Sequence, residues 1–232
     1  MKICSIEQMK KYYLVLDYEA NCSADQIRDH EIIEFPGILV ERETGFVISQ
    51  FHHYVQMATH KKLSTFIKDM THITDEQVNQ GVTWKECLSL FEKWCVEHCV
   101  TPDNTTMVTC GDWDLKTMLP RQLLITNTML SPFLTKLFGC WNNIKVSYVN
   151  TMKPLNKRRC GMATMLEKLN LKLDGQHHSG IDDSRNIAKI AHELTKREWD
   201  MTRPNRINVS PYWYDTKVAY RRTKRGKIIS GE

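Results

Sequence analysis

No run of apolar residues in this sequence approaches the roughly 18 that a membrane helix needs, which excludes a spanning helix of ordinary length. The first residues, Met1-Lys2-Ile3-Cys4-Ser5-Ile6-Glu7, lack the apolar stretch of a secretory signal. There is no internal repeat, no low-complexity tract and no clear second domain. The eight cysteines, at 4, 22, 87, 95, 99, 110, 140 and 160, are scattered. Cys95 and Cys99 stand one helical turn apart, with no second pair at zinc-finger spacing. Several others lie in apolar segments, where a reduced cysteine packs as a small hydrophobe. These absences lead us to expect reduced thiols, no membrane association and an intracellular location, in cytoplasm, nucleus or both.

What is present suits one globular domain: 232 residues, 41% of them hydrophobic and 25% charged, enough to build a substantial core. The net charge of +5 is unevenly placed. Residues 201–232 hold eight Lys or Arg against Asp215 and Glu232, a balance of +6, and the first 200 residues sum to −1. A basic segment of this kind suits a polyanionic partner, although solubility alone also accounts for it. Tyr212, Trp213 and Tyr214, in the same segment, read either as a stacking surface for nucleic-acid bases or as an anchor onto the domain.

Tyr12-Tyr13-Leu14-Val15-Leu16 is a continuous aromatic and β-branched run, expected to be a strand buried on both faces. Strand patterns follow over Ile32 to Glu41, where Pro36-Gly37 suggests a bulge, bend or edge, and over Phe46 to Val55. Their short connections favour an antiparallel meander. Helical periodicity begins near Lys62 and is clearest over Thr83 to Cys99, where Thr83 and Glu86 form a capping-box pattern. Met107 to Cys110 and Ile144 to Val149 are further strand candidates, and helices fit Gly161 to Leu169 and Ile181 to about Lys196. Strands first, then alternation with helices, describe a layered α/β domain.

Four acidic residues, in three places, stand out. Asp17 and Glu19 follow the first apolar strand two residues apart, so a strand would put both carboxylates on one face. They read as metal ligands or as solvated strand-end acids. Asp114 follows a strand and Gly111, at the edge where α/β sheets bind ligands; an N-cap is the alternative, and Asp112 competes for that cap. Asp183 lies one turn before Ile187 on the inward face of its helix, whereas Asp182 points about 100° away. An inward carboxylate needs a cation or hydrogen-bond donors, or it protonates. His177-His178-Ser179-Gly180 immediately precedes it and can bring an imidazole close. All-carboxylate ligation favours Mg²⁺ or Mn²⁺ over a zinc-selective site.

Three segments carry a resemblance: Leu16-Asp17-Tyr18-Glu19-Ala20, Cys110-Gly111-Asp112-Trp113-Asp114-Leu115, and His178 to Ala188. In this order and spacing the sequence resembles the DEDDh group of DnaQ-like, ribonuclease-H-fold 3′→5′ exonucleases, and within it the Eri-1-like exoribonucleases. The likeness covers roughly residues 10 to 197, including Glu31 to Pro36 and Leu63 to Thr74. It implies a ribonuclease-H-like mixed five-stranded sheet flanked by helices, with the first three strands antiparallel, as an exonuclease domain over residues 1–200. It also implies two Mg²⁺ or Mn²⁺ ions held by Asp17, Glu19, Asp114 and Asp183, with His178 as general base and His177 and Asp182 as non-catalytic neighbours. Hydrolysis would release nucleoside 5′-monophosphates from single-stranded nucleic acid or a 3′ overhang, with RNA favoured and DNA also compatible. A proofreading-type enzyme working with a protein partner, or a non-catalytic nucleic-acid-binding protein, are the rival readings; the latter usually loses at least one of the five residues, and here all are filled. By family position Ala20, Met70, Thr71, His72 and Ile73 are candidates for the terminal-nucleotide pocket, with packing an equal reading for Met70 and Ile73. Trp113 reads better as a core residue than as a substrate contact. The sequence departs from its relatives at Tyr18, Asn21 and His72, where they often carry Phe, Thr and Gly; no metal ligand is affected.

Under this reading the segment 201–232 aids substrate capture rather than chemistry. Cutting after Lys217 removes the charges at 221, 222, 224, 225 and 227. The slope of log affinity for single strands against log salt should then fall by about 0.7 per lost phosphate contact, with saturated turnover unchanged. Identical slopes and affinities in a salt titration would leave the tail no role in binding.

Overall fold

The computed structural model describes residues 10–22, 30–154, 160–199 and 204–207; Tyr212 to Tyr214 and the basic run beyond them lie outside the described residues. In chain order the elements are β1 (Tyr12–Val15), β2 (Glu19–Asn21), β3 (Glu31–Glu41), β4 (Val47–Tyr54), α1 (Thr65–Thr71), α2 (Asp75–Asn79), α3 (Trp84–Glu97) and β5 (Thr105–Thr109). A π-helical turn (Asp114–Met118) leads into α4 (Leu119–Ile125), followed by α5 (Pro132–Phe138), β6 (Cys140–Asn143), α6 (Ile144–Met152), α7 (Met162–Lys168), α8 (Gly180–Thr195) and β7 (Arg206–Ile207).

Five strands make the body of a mixed sheet, in the order β4-β3-β1-β5-β6. β1, β3 and β4 are antiparallel, as the meander predicts, with Leu14 opposite Leu39 and Gly37 opposite Phe51. β5 and β6 then run parallel to β1. Two shorter strands complete it. β7 pairs with the outer edge of β6, and β2 pairs with the first half of β3, on the side where β1 pairs with the second half. β1 and β2 are thus halves of one strand, broken at residues 16–18. Pro36, which has no N–H to give a ladder, stands opposite that break, so β3 runs through Pro36-Gly37 without ending.

Because strand side chains alternate faces, successive residues of β1 feed different cores. Leu14 and Leu16 join Phe35, Phe51, Trp84, Phe91 and Trp141 on one face, under α3 to α5. Tyr13 and Val15 join Ile38, Val108, Met165, Ile187, Ile190 and Leu194 on the other, under α6 to α8. Within the first core Phe35 stacks on Trp84 at 5.9 Å and Phe91 on Phe138 at 5.6 Å. At the start of α3 the Thr83 side chain accepts the Glu86 backbone N–H.

One expected strand is corrected. Ile144 to Val149 is helical, and the strand is the four residues before it. Ile144, Val146 and Tyr148 look alternating, but Ile144, Ser147 and Tyr148 are buried, the spacing of a helix face. Asn143 starts the turn by accepting the Lys145 N–H.

A buried carboxylate anchors the segment after β4. Glu31 is wholly buried and accepts from the backbone N–H groups of Ala58, Thr59 and His60 and from the Thr59 hydroxyl, with His60 Nδ1 at 2.7 Å. Burial opposes its ionisation, but the Thr59, His60 and Ala58 bonds prevail and hold the carboxyl below its ordinary value. Its contribution to stability is therefore full above the ordinary carboxylate range and is lost as pH falls through the lowered folded value. Glu31→Gln should cost roughly 2 kcal/mol at pH 7, a deficit that urea melts should find shrinking in strong acid.

Candidate active site

Asp17 falls in the break between β1 and β2, and Glu19 opens β2. The chain is not regular strand between them, yet it delivers both acids to one place. Ligand oxygens of Asp17, Glu19 and Asp183 all lie within 4.8 Å of one another. Asp183 comes from the first turn of α8, four residues before buried Ile187, on the inward face as its spacing predicts. Its Oδ2 accepts the His178 backbone N–H at 2.9 Å, while its buried Oδ1 has no hydrogen-bond partner among the described residues.

Asp114 stands outside that trio but is tied to it. Breaking the strand at Tyr18 frees a backbone N–H, and Asp114 Oδ1 accepts it at 3.0 Å. Asp114 is buried as the first residue of the π-helical turn, so it does not act as an N-cap. Asp112 points elsewhere, accepting from Asn143 and Arg206. Trp113, expected in the core, is 38% exposed beside the site and lies 6.1 Å from the His30 ring. It precedes the turn whose next residue, Asp114, takes the buried place.

The two histidines approach Asp183 in different ways. His178 has φ 70°, a left-handed conformation costly for a residue with a side chain. Its ring stacks on that of His177 at 3.9 Å. His177 Nε2 is 3.9 Å from Asp183 Oδ2, and the three residues form a second cluster of potential ligand atoms. His177, a non-catalytic neighbour under the resemblance, thus stands at the site beside His178.

Electrostatics follow from this crowding. Burial, then repulsion from Asp114, Glu19 and Asp183, holds the Asp17 carboxyl well above the ordinary range. Burial and Glu34 push Glu19 up to about 9. Burial raises Asp114 and Asp183 to about 6, the Tyr18 and His178 N–H groups respectively opposing the rise. His178 moves the other way: burial and the neighbouring His177 hold it below the usual imidazole value, so it is neutral at pH 7.

The pocket candidates divide. Ala20 is buried beside Glu19, and Thr71 is buried with its carbonyl accepting Gln176 Nε2, which ties the end of α1 to the histidine loop. His72 is exposed at φ 59°, a conformation that suits the glycine of its relatives. Ile73 packs with Ile33, Leu63, Ile67 and Val78, and Met70 lies against that cluster, which favours the packing reading for both. Asn21, a departure from the relatives, accepts the Ser64 N–H and so fixes the start of α1. A cavity of about 790 Å³, lined by residues including Trp84, Leu88 and Met129, contains none of the five acid and histidine candidates. Glu34 was missed among the site residues; its one signal was an acid in the middle of a buried apolar strand.

A mixed sheet that gathers acids from a broken central strand, the exit of β5 and the last long helix is the ribonuclease-H-like arrangement. The sequence profile of the exonuclease family matches residues 14–191, and the chain belongs to that family, in its DEDDh, ERI1-like branch. It is similar to ERI1 exoribonuclease 3 of Homo sapiens, at 36% identity over 192 residues, 82% of this chain and 55% of that protein. It is similar also to 3′-5′ exoribonuclease 1 of Homo sapiens, at 34% identity over 78% of this chain and 51% of that protein. The chain therefore spans about half the length of the curated relatives it matches. The crystal structure of the nuclease domain of 3′hExo, a DEDDh family member, bound to rAMP superposes with a TM-score of 0.77 at 31% identity, covering 86% of this chain and 98% of that one. A structure of a 3′-exonuclease in 3′-end-specific recognition of a histone mRNA stem-loop gives 0.75 at 29%, covering 83% and 85%.

Crowded acids destabilise the protein when no cation joins them. Asp17→Asn should raise the melting temperature of the metal-free protein by about 2–4 °C, the shift that 1 kcal/mol gives a domain of this size. Adding Mn²⁺ should stabilise wild type and close the gap. Calorimetry in EDTA and in Mn²⁺ checks both; a less stable mutant in EDTA would contradict the crowding.

Proposed function

We propose that the chain is a metal-dependent 3′→5′ exonuclease that hydrolyses the terminal phosphodiester of single-stranded RNA, or of a 3′ overhang, to release nucleoside 5′-monophosphates. The observation that carries this reading is the Asp17–Glu19–Asp183 cluster, with its ligand oxygens within 4.8 Å. The donor set fits a hard divalent cation. It is all oxygen, burial and repulsion hold its carboxyls above their ordinary values, and Asp183 Oδ1 is buried with no partner among the described residues. Asp17, Glu19 and Asp183 would hold one Mg²⁺ or Mn²⁺, and Asp17 and Asp114 a second. Such a pair supplies charge stabilisation to the attacking and leaving oxygens of a phosphodiester.

The remaining work falls to the chain. His178, neutral at pH 7, takes the proton of the attacking water. Its backbone N–H, bonded to Asp183 Oδ2, couples the base to a ligand carboxylate. The Tyr18 N–H keeps Asp114 aimed at the same edge. Ala20, Thr71 and His72 border the terminal nucleotide. The choice of RNA is supported by the relatives, which are named exoribonucleases, and the basic segment 201–232 supplies contacts to the strand's phosphates.

His178→Ala should lower saturated turnover on the order of 10²–10⁴-fold. His177→Ala should cost far less, and excess EDTA should abolish turnover of every variant. Rates at saturating Mg²⁺ decide between the histidines: a reversed ranking moves the base to His177, and activity that survives EDTA rejects the metal-dependent reading.

A further inference from the structure

Glu34 lies in the middle of β3 and is 2% exposed. One carboxylate oxygen accepts the Gly180 N–H at 3.0 Å; the other accepts the Ile181 N–H at 3.1 Å and lies 2.8 Å from His52 Nε2. These two N–H groups belong to the first turn of α8, which has no helical acceptor of its own. Ser179, at the N-cap position, makes no side-chain cap. A carboxylate from the sheet therefore caps the helix, where the helix dipole also favours a negative charge.

The joint is tight. A Cβ at Gly180 would lie 2.7 Å from the Asp17 carbonyl oxygen and 3.1 Å from Glu34 Oε2. Only a residue without a side chain lets α8 start against both. Asp183 is three residues further on and His178 two residues back, so this contact sets how the helix-borne groups meet the strand-borne acids. Glu34 has its oxygens committed to hydrogen bonds and is absent from both clusters of potential ligand atoms. Its charge still reaches the site, since it helps raise the carboxyls of Glu19 and Asp183.

We propose that Glu34 is a positioning residue of the metal site: it docks α8 so that Asp183 and His178 meet Asp17 and Glu19, and its negative charge strengthens divalent-cation binding there. This rests on the metal-site reading given under the proposed function.

The test is Mn²⁺ binding to the full chain by titration calorimetry, without RNA, beside thermal melting of each variant. Wild type should bind and Asp183→Asn should lose binding. Glu34→Gln keeps the size of the side chain and one acceptor. Folded, it should bind Mn²⁺ about 10-fold more weakly, in the range typical of groups that orient metal ligands. The Mg²⁺ concentration giving half-maximal RNA turnover should rise in parallel, with the KM for RNA at saturating metal unchanged. Wild-type Mn²⁺ affinity in folded Glu34→Gln would overturn the proposal, because a role confined to stability moves the melting temperature alone. Should Glu34→Gln fail to fold, Gly180→Ala, which pries the same joint open with the carboxylate intact, should show the weakened binding; wild-type affinity there would equally overturn it. Absence of binding in wild type would instead overturn the metal-site reading.

Discussion

Repulsion among carboxylates packed at one edge of a sheet is the constraint on which the rest of this structure depends. Asp17, Glu19, Asp114 and Asp183 come from three separate parts of the chain, and Glu34 stands close behind them. In water such groups would separate. Here they are held by the backbone: the strand break at residues 16–18 places Asp17, the freed Tyr18 N–H takes Asp114, and the His178 N–H takes one oxygen of Asp183. The cost of that arrangement is offset by the two apolar cores on either side of β1 and by the affinity it creates for a cation.

The same sheet uses buried acids as fasteners. Glu31 binds the segment 58–60 and Glu34 binds the start of α8, from positions three apart on one strand. Both are buried carboxylates whose oxygens are satisfied largely by backbone N–H groups, as a buried polar group requires. Asn21, opposite Glu31 on β2, adds the Ser64 contact. These bonds tie two irregular stretches, residues 56–64 and the loop that leads into α8, to strands β2 and β3.

Much of this was legible beforehand, for physical reasons that differ by element. A continuous apolar run marked β1, strand patterns marked β3 and β4, and the spacing of Trp84, Cys87, Leu88, Phe91 and Trp94 marked α3. The inward direction of Asp183 followed from its phase relative to Ile187. β2 and β7 were too short to leave a pattern, and α6 was misread because apolar residues at 144, 146 and 148 mimic a strand's alternation. Trp113 reads better as a core tryptophan beside the site than as a substrate contact, whereas packing gives the buried place to its neighbour Asp114. Glu34 escaped notice because its partners are backbone N–H groups some 146 residues away, a relationship that no local pattern records. The meeting of both histidine rings with Asp183 depends on a positive φ at His178, which a non-glycine residue does not advertise.

The central claim, that these groups remove nucleotides from a 3′ end, is tested most directly by following 5′-end-labelled single-stranded RNA with purified protein and Mg²⁺. The account predicts a ladder that shortens progressively from the 3′ end, nucleoside 5′-monophosphates as the product, and obstruction by a 3′-phosphate. Cleavage at internal positions, release of oligonucleotides, or nucleoside 3′-monophosphates as product would contradict it.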